Sequence, residues 1–219
     1  LLRSLIEQMT EHGIHALIIT ETGAKSNRTV DKIIHDTNPL YKAFTAHSNS
    51  TTKGTLILLG PKLAKHALHT NFHHYCDGRL AHLALYLNSS TVLNLIPVYC
   101  PAKTNEQTQL EHENIKEQLT HILEKIDKDT TRMQYVICAG DVNDIASELD
   151  TTNPTRTPKT GGTLTHIIEE TNLIDTFRAL HPTKEIHSHA HTQGLADNSS
   201  TDPTTHQARI DYIFANPET

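Results

Sequence analysis

The sequence predicts an α/β sandwich, in which strands joined as hairpins are mixed with surface helices. Three observations carry this. Short, almost wholly apolar runs end abruptly at Gly, Pro or a polar residue, as buried strands do. Two further segments carry apolar residues at helical spacing, one near the start and one near the middle of the chain. Strands that pair as hairpins, with helices between them, favour a sandwich over a doubly wound parallel sheet.

The elements follow in order. Leu1, Leu2, Leu5, Ile6 and Met9 recur at helical spacing, and His12-Gly13 supplies a stop, so the chain opens in an amphipathic helix. Residues 14–20 are β-branched and apolar and read as a buried strand, which puts Glu21 where the strand leaves the core. Residues 56–59, closed by Gly60-Pro61, form a second buried strand, and 80–87 and 91–98 flank the turn at Asn88-Ser89-Ser90 as a hairpin. From Asn105 to about Lys128, the positions of Leu110, Ile115, Leu119, Ile122, Leu123 and Ile126 give a long surface helix. A strand over 134–139 follows and is expected to break at Gly140. Thr163 is placed to cap a shorter helix bearing Leu164, Ile167 and Ile168, and 173–178 reads as a short turn. The segment 183–206 is polar and irregular. In the last strand, Ile210, Tyr212 and Phe214 face one way and Arg209, Asp211 and Ile213 the other.

Composition narrows the setting. A chain of 219 residues is long enough for one domain to bury a full core without disulfides, and Cys76, Cys100 and Cys138 show no paired spacing, so they read as buried thiols in a reducing, intracellular compartment. No apolar stretch reaches the roughly 18 residues that a membrane span needs, and a soluble protein is expected. The net charge of -6 gives no global attraction to a phosphate polymer, so nucleic-acid binding would require a local basic groove or a bound cation. The seventeen histidines and the absence of Trp fit compositional drift as well as function. Four Asn-x-Ser/Thr triplets, at Asn27, Asn49, Asn88 and Asn198, matter only in a secreted chain.

Four segments share one arrangement: an apolar strand runs into a polar residue. They end at Glu21-Thr22, at Tyr99-Cys100-Pro101, at Gly140-Asp141-Val142-Asn143 and at Arg209-Ile210-Asp211-Tyr212. In this order they resemble the signatures of the endonuclease/exonuclease/phosphatase family. The stretch Leu173 to Pro182 and the Asp77-Gly78-Arg79 before a hairpin are similar to its abasic-site and retrotransposon nuclease branches. The likeness spans about residues 1–216.

The resemblance implies a four-layer α-β-β-α sandwich and hydrolysis of phosphodiesters with magnesium or manganese. By that likeness Glu21 holds the metal, Asp141 aligns or deprotonates the attacking water, Asn143 holds a phosphate oxygen, Tyr99 donates to the phosphate and Asp211 orients a histidine. Such roles suit the chemistry, because a hard cation prefers carboxylate oxygens and offsets charge on the phosphate. Taken alone, Gly-Asp-x-Asn is a common turn, and Asp211 could simply pair with Arg209. Arg178 could grip a nucleic-acid backbone or pair with Asp175 on the same short helix. His187, His189 and His191 alternate, but imidazoles suit zinc or nickel rather than this site, and a surface loop is expected there. His73-His74 reads as a solvated strand edge.

Two family elements are absent from the sequence: an Asn-bearing strand before the first helix and a Ser-Asp-His segment after Tyr212. The expectation is a single domain over 1–219, incomplete at both ends with its terminal strands missing, poorly stable and nearly inactive by itself. DNA is the expected partner, with a reverse transcriptase in the same parent polypeptide and a nuclear location if the origin is a retroelement. Abasic-site repair, a catalytically dead binding module, and a phosphodiesterase acting on RNA or a small phosphoester are the alternatives. The absence of Trp and the histidine-rich 183–206 segment depart from the repair enzymes.

Overall fold

The computed structural model describes residues 1–24, 26–102, 105–192 and 205–217. In chain order the elements are α1 (Leu2–Glu11), β1 (Ala16–Ile19), α2 (Asn27–Thr37), β2 (Lys42–Ala46), β3 (Thr55–Leu59), α3 (Pro61–His66), β4 (His69–Tyr75), β5 (Leu80–Asn88), β6 (Thr91–Tyr99), α4 (Glu106–Lys128), β7 (Met133–Asp141), α5 (Thr163–Glu170), β8 (Ile174–Asp175), α6 (Thr176–Leu180), β9 (His189–Thr192), β10 (Thr205–Ala208) and β11 (Asp211–Ala215).

Two sheets stack between helices. The larger has the order β4-β5-β6-β7-β11-β8, and the smaller is β1-β3-β2, with a separate β9-β10 hairpin. Alternation along β3 shows why this is a four-layer sandwich. Leu56 and Leu58 pack with Ile6 and Met9 of α1 and Val30 and Ile34 of α2. Ile57 and Leu59 point the other way, onto Leu83, Leu85 and Leu95 of the large sheet. The outer face of the large sheet, through Ile96, Val98, Val136 and Cys138, is closed by Ile115, Leu119, Ile122 and Ile126 of α4 and by Leu164 and Ile167 of α5. The layers are therefore helix, sheet, sheet, helix.

α4 starts where its caps dictate. The Asn105 side chain accepts from the Thr108 N–H at 3.0 Å, and the Thr108 hydroxyl accepts from the Asn105 N–H at 2.9 Å. The helix then carries the chain across the sheet, so that β6 and β7 run parallel, with Tyr99 opposite Asp141.

Several expectations need correction. The strand β7 does not break at Gly140 but runs on to Asp141. Gly140 has φ 148°, and a Cβ there would lie 2.0 Å from the Val98 carbonyl, so only glycine lets β6 and β7 close at this level. Gly162, not Thr163, is the N-cap of α5; the buried Thr163 hydroxyl bonds His112 Nδ1 at 2.8 Å instead. The strand β1 is half-buried rather than core, since it pairs only with β3. Leu110 is exposed. The turn at 173–178 is resolved into β8 and α6, and the irregular 183–206 segment contains β9 and the start of β10. Residues 193–204, including the Asn198 triplet, lie outside the described residues, as does the side chain of His191.

His73 and His74 are exposed on β4 at the edge of the large sheet, as expected of a solvated edge. Cys100 and Cys138 are buried free thiols, pushed up to about 12 by burial, and Cys76 is half-buried. Among the described residues no helix is long and apolar enough to cross a membrane.

Candidate active site

The site lies at one end of the large sheet. Asp141 stands directly across from Tyr99 on one side and from Asp211 on the other. Directly opposed residues share a face, so the phenol and the two carboxylates form a row across β6, β7 and β11. That face looks toward the small sheet, and Glu21, just beyond β1, meets the row there. The Tyr99 hydroxyl donates a short hydrogen bond to Glu21 Oε1.

Asn143 joins the group by a turn. Its backbone N–H donates to Asp141 Oδ1 at 2.8 Å, and its side-chain amide donates to Asp141 Oδ2 at 3.1 Å and to the Cys100 carbonyl at 2.9 Å. The residue that makes the turn is left-handed, with φ 55° at Asn143. The common Asx turn is thus real, and it is also what points the amide at the Asp141 carboxylate. Glu21, at φ 54°, is left-handed as well. With Cys76 and Asp77 these are the four non-glycine residues of positive φ among the described residues. Such conformations cost about 1–3 kcal/mol each and tend to gather at functional sites.

The electrostatics follow from the crowding. Burial pushes the Asp141 carboxyl up to about 6, and the charges of Asp211 and Glu21 push in the same direction, against the hydrogen bonds from Asn143. Burial and the Glu21 carboxylate push the Tyr99 phenol up to about 12, so near neutral pH it is a donor. No arginine or lysine pairs with Asp141 among the described ion pairs.

A divalent cation fits this set. The donors are carboxylate oxygens, and the charges of Asp211 and Glu21 add to burial in raising the cost of ionising Asp141, which a cation would relieve. Among the described residues no three His, Cys, Asp or Glu side chains close on one point. One or two carboxylates suffice for a hard cation that keeps several of its waters.

Three residues fall out differently from the sequence reading. The Arg178 guanidinium donates to Asp150 Oδ1 at 2.5 Å and to the carbonyls of His181, Pro182 and Lys184, and it is the Arg178 backbone N–H, not the guanidinium, that donates to Asp175. Arg209 does not pair with Asp211. Its guanidinium is buried and holds Asp150 at 2.8 Å and Asp175 at 2.5 Å. Asp211 is exposed beside it, its N–H donating to Ser188 Oγ at 3.2 Å.

Sequence reasoning missed Lys159, whose Nζ donates to the Asn143 carbonyl at 3.2 Å, and Lys53 and Glu111, which join Arg79 behind Tyr99. No local pattern marks them, because each reaches the site across a long sequence gap. The histidines 187 and 189 are not brought to the site by any described contact.

No family model and no curated protein matches the sequence. Solved structures do. The Xenopus laevis APE2 catalytic domain is 18% identical, over 98% of this chain and 77% of that one, with a TM-score of 0.65. The 3′ phosphatase NExo from Neisseria, bound to a product DNA hairpin, is 12% identical over 99% and 82%, with a TM-score of 0.69. A truncated Caenorhabditis elegans TDP2 is 13% identical over 98% and 76%, at 0.56. At such identities the likeness is one of architecture, and the chain has the deoxyribonuclease-like fold of these structures.

Proposed function

We propose that this chain carries the site of a metal-dependent phosphodiesterase that nicks DNA by attack of water on phosphorus, with weak activity expected of the 219 residues by themselves. One observation carries the reading: Glu21, Tyr99, Asp141, Asn143 and Asp211, drawn from four separate parts of the chain, meet at one sheet end, with no cationic partner for Asp141 among the described residues. The DNA product bound to the Neisseria 3′ phosphatase of the same fold supports a DNA substrate.

The roles follow from the chemistry of each group. Glu21 is the primary ligand for magnesium or manganese, with Asp211 close enough to Asp141 to add its charge. When bound, the ion offsets charge on the phosphate and the leaving oxygen. Asp141, near 6, is ionised at neutral pH yet basic enough to take a proton from water. Asn143 steadies the Asp141 carboxylate, and by exchanging one of its two bonds it can donate to a phosphate oxygen. Tyr99 keeps its proton and can donate to Glu21 or to phosphate. Lys159 adds positive charge at the Asn143 side of the cleft.

Within this reading we assign nicking of intact target DNA, as by the endonuclease of a non-LTR retrotransposon acting in the nucleus alongside a reverse transcriptase. The histidine-rich 183–206 segment favours this over abasic repair. The test is nicking of supercoiled plasmid, and of intact and abasic duplexes, with magnesium, with manganese and with EDTA. Metal-dependent nicking of both duplexes that is lost in Asp141→Ala supports the assignment. Cleavage confined to the abasic duplex would move it to repair, and activity that survives Asp141→Ala would end the hydrolytic reading.

A further inference from the structure

Behind the Glu21–Tyr99 pair lies a line of charged side chains that the proposed chemistry does not use. Glu111, on the second turn of α4, lies 2.9 Å from Lys53 Nζ and 3.0 Å from Arg79 Nη2. Lys53 also reaches Asp77 at 3.2 Å. From this one carboxylate, two arms run to the two halves of the pair.

The first arm goes to Glu21. The Lys53 carbonyl accepts the Gly23 N–H at 2.9 Å, and the Gly54 carbonyl accepts the Thr22 N–H at 3.1 Å. These two bonds tie the backbone immediately after the left-handed Glu21 to the segment that carries Lys53. The second arm goes to Tyr99. The Arg79 guanidinium carbon lies 4.7 Å from the centre of the Tyr99 ring, the Tyr99 N–H donates to the Arg79 carbonyl at 2.8 Å, and Arg79 Nη1 donates to the Tyr99 carbonyl at 3.5 Å. Arg79 is thus engaged with both the backbone and the ring of Tyr99.

This cluster is poorly explained as a stabilising device. Arg79 is buried, its Nε has no hydrogen-bond partner among the described residues, and its ion pair with Glu111 Oε2 lacks hydrogen-bond alignment. Buried ion pairs with unsatisfied donors gain little for the fold over apolar side chains of similar size. What the cluster does provide is a fixed spacing between a loop of the small sheet and a strand of the large one.

We propose that Glu111 is a positioning residue of the active site, which sets the metal ligand Glu21 through Lys53 and the phosphate donor Tyr99 through Arg79. The inference deepens the phosphodiesterase reading and rests on it for the meaning of the pair. Groups that orient metal ligands from behind typically change metal affinity or activity by about 10- to 100-fold when removed. Neither arm touches substrate, so the effect falls on kcat and on metal binding, with KM for DNA unchanged.

The test uses Mn²⁺ binding to the full chain, followed by electron paramagnetic resonance, beside steady-state nicking and thermal unfolding. Glu111→Gln is expected to weaken Mn²⁺ binding and lower kcat, each by about 10-fold or more, while Glu111→Asp recovers part of both. Lys53→Met should act mainly on Mn²⁺ affinity and Arg79→Met mainly on kcat. Lys128→Gln, which removes the exposed pair with Glu124 on the same helix, should change neither. The proposal is overturned if Glu111→Gln leaves Mn²⁺ affinity and kcat within twofold of wild type. It is equally overturned if both losses vanish once the assay temperature is lowered by the fall in Tm, since the residue would then be only structural. A wild type that binds Mn²⁺ through Glu21 but cleaves no DNA would sink the functional reading alone, and the affinity of Glu111→Gln would still decide the positioning role. A wild type that binds no Mn²⁺ would overturn both.

Discussion

Two groups of carboxylates sit side by side at the start of β11, and their surroundings treat them in opposite ways. Asp150 is fully buried, yet Arg209 and Arg178 hold its carboxyl below the usual range against the cost of burial, and Tyr212 adds its hydroxyl. Asp141 is half-buried and pairs with no cation among the described residues, and burial, with the charges of Asp211 and Glu21 added, pushes its carboxyl up to about 6. The first cluster is complete as it stands. The second carries negative charge that the fold leaves unbalanced. Burial alone therefore does not set the direction of a pKa shift; the deciding quantity is whether a guanidinium has been supplied.

The comparison can be broken most sharply on the uncompensated side. Asp141→Asn should lower metal-dependent nicking by about 10³-fold while leaving the protein folded, as read by plasmid nicking beside circular dichroism. On the compensated side the reverse is expected. Asp150→Ala leaves the buried Arg209 and the half-buried Arg178 facing an empty position, and should destabilise the protein by about 3–5 kcal/mol in urea unfolding. A mild effect there would mean that Asp175 alone can satisfy Arg209.

Dependence on pH separates the clusters further. Asp141 is raised from 3.8 to about 6 in the folded state, so its contribution favours folding at low pH and is lost as pH rises through about 6. In EDTA, Asp141→Asn should therefore gain stability over wild type as pH rises from 4 to 7.5, by about 1–3 kcal/mol. Asp150, lowered, behaves in the opposite sense: its contribution is present above its ordinary value of 3.8 and is lost as pH falls through the lower folded value. Wild type and Asp150→Asn should thus converge only in strong acid. The smallest effect is that of the ion itself. Magnesium at about ten times its Kd should raise stability by about 1.4 kcal/mol, by mass action, and Glu21→Gln should abolish the gain, as measured by calorimetry.

Much of this architecture is legible in local patterns. The hairpin of β5 and β6 and the long helix α4 follow from strong periodicity and clear caps. The elements that went unread are weaker. α2 places only Val30 and Ile34 fully in the core, and β4 is an edge strand whose histidines hide its alternation. The Pro61 that opens α3 was a usable signal, since proline suits the first turn of a helix, but it reads equally as a strand end. The site was legible as residue types at strand ends. Its geometry was not, because Asn143 arrives through a left-handed turn and Glu111 through an ion pair spanning 58 residues to Lys53.

By itself, the sequence determined which segments are strands and helices and which polar residues stand at their ends, because both depend on neighbours a few positions apart. Only the tertiary structure decided the partners. Arg209 and Asp211 are two residues apart and would share a face of one continuous strand, but the ladder is interrupted between Ala208 and Asp211, so Arg209 turns inward to Asp150 and Asp175 while Asp211 remains exposed beside Asp141. Charge acts through space, and the distances that make one aspartate structural and the next available to a cation are set by strands that meet from distant parts of the chain.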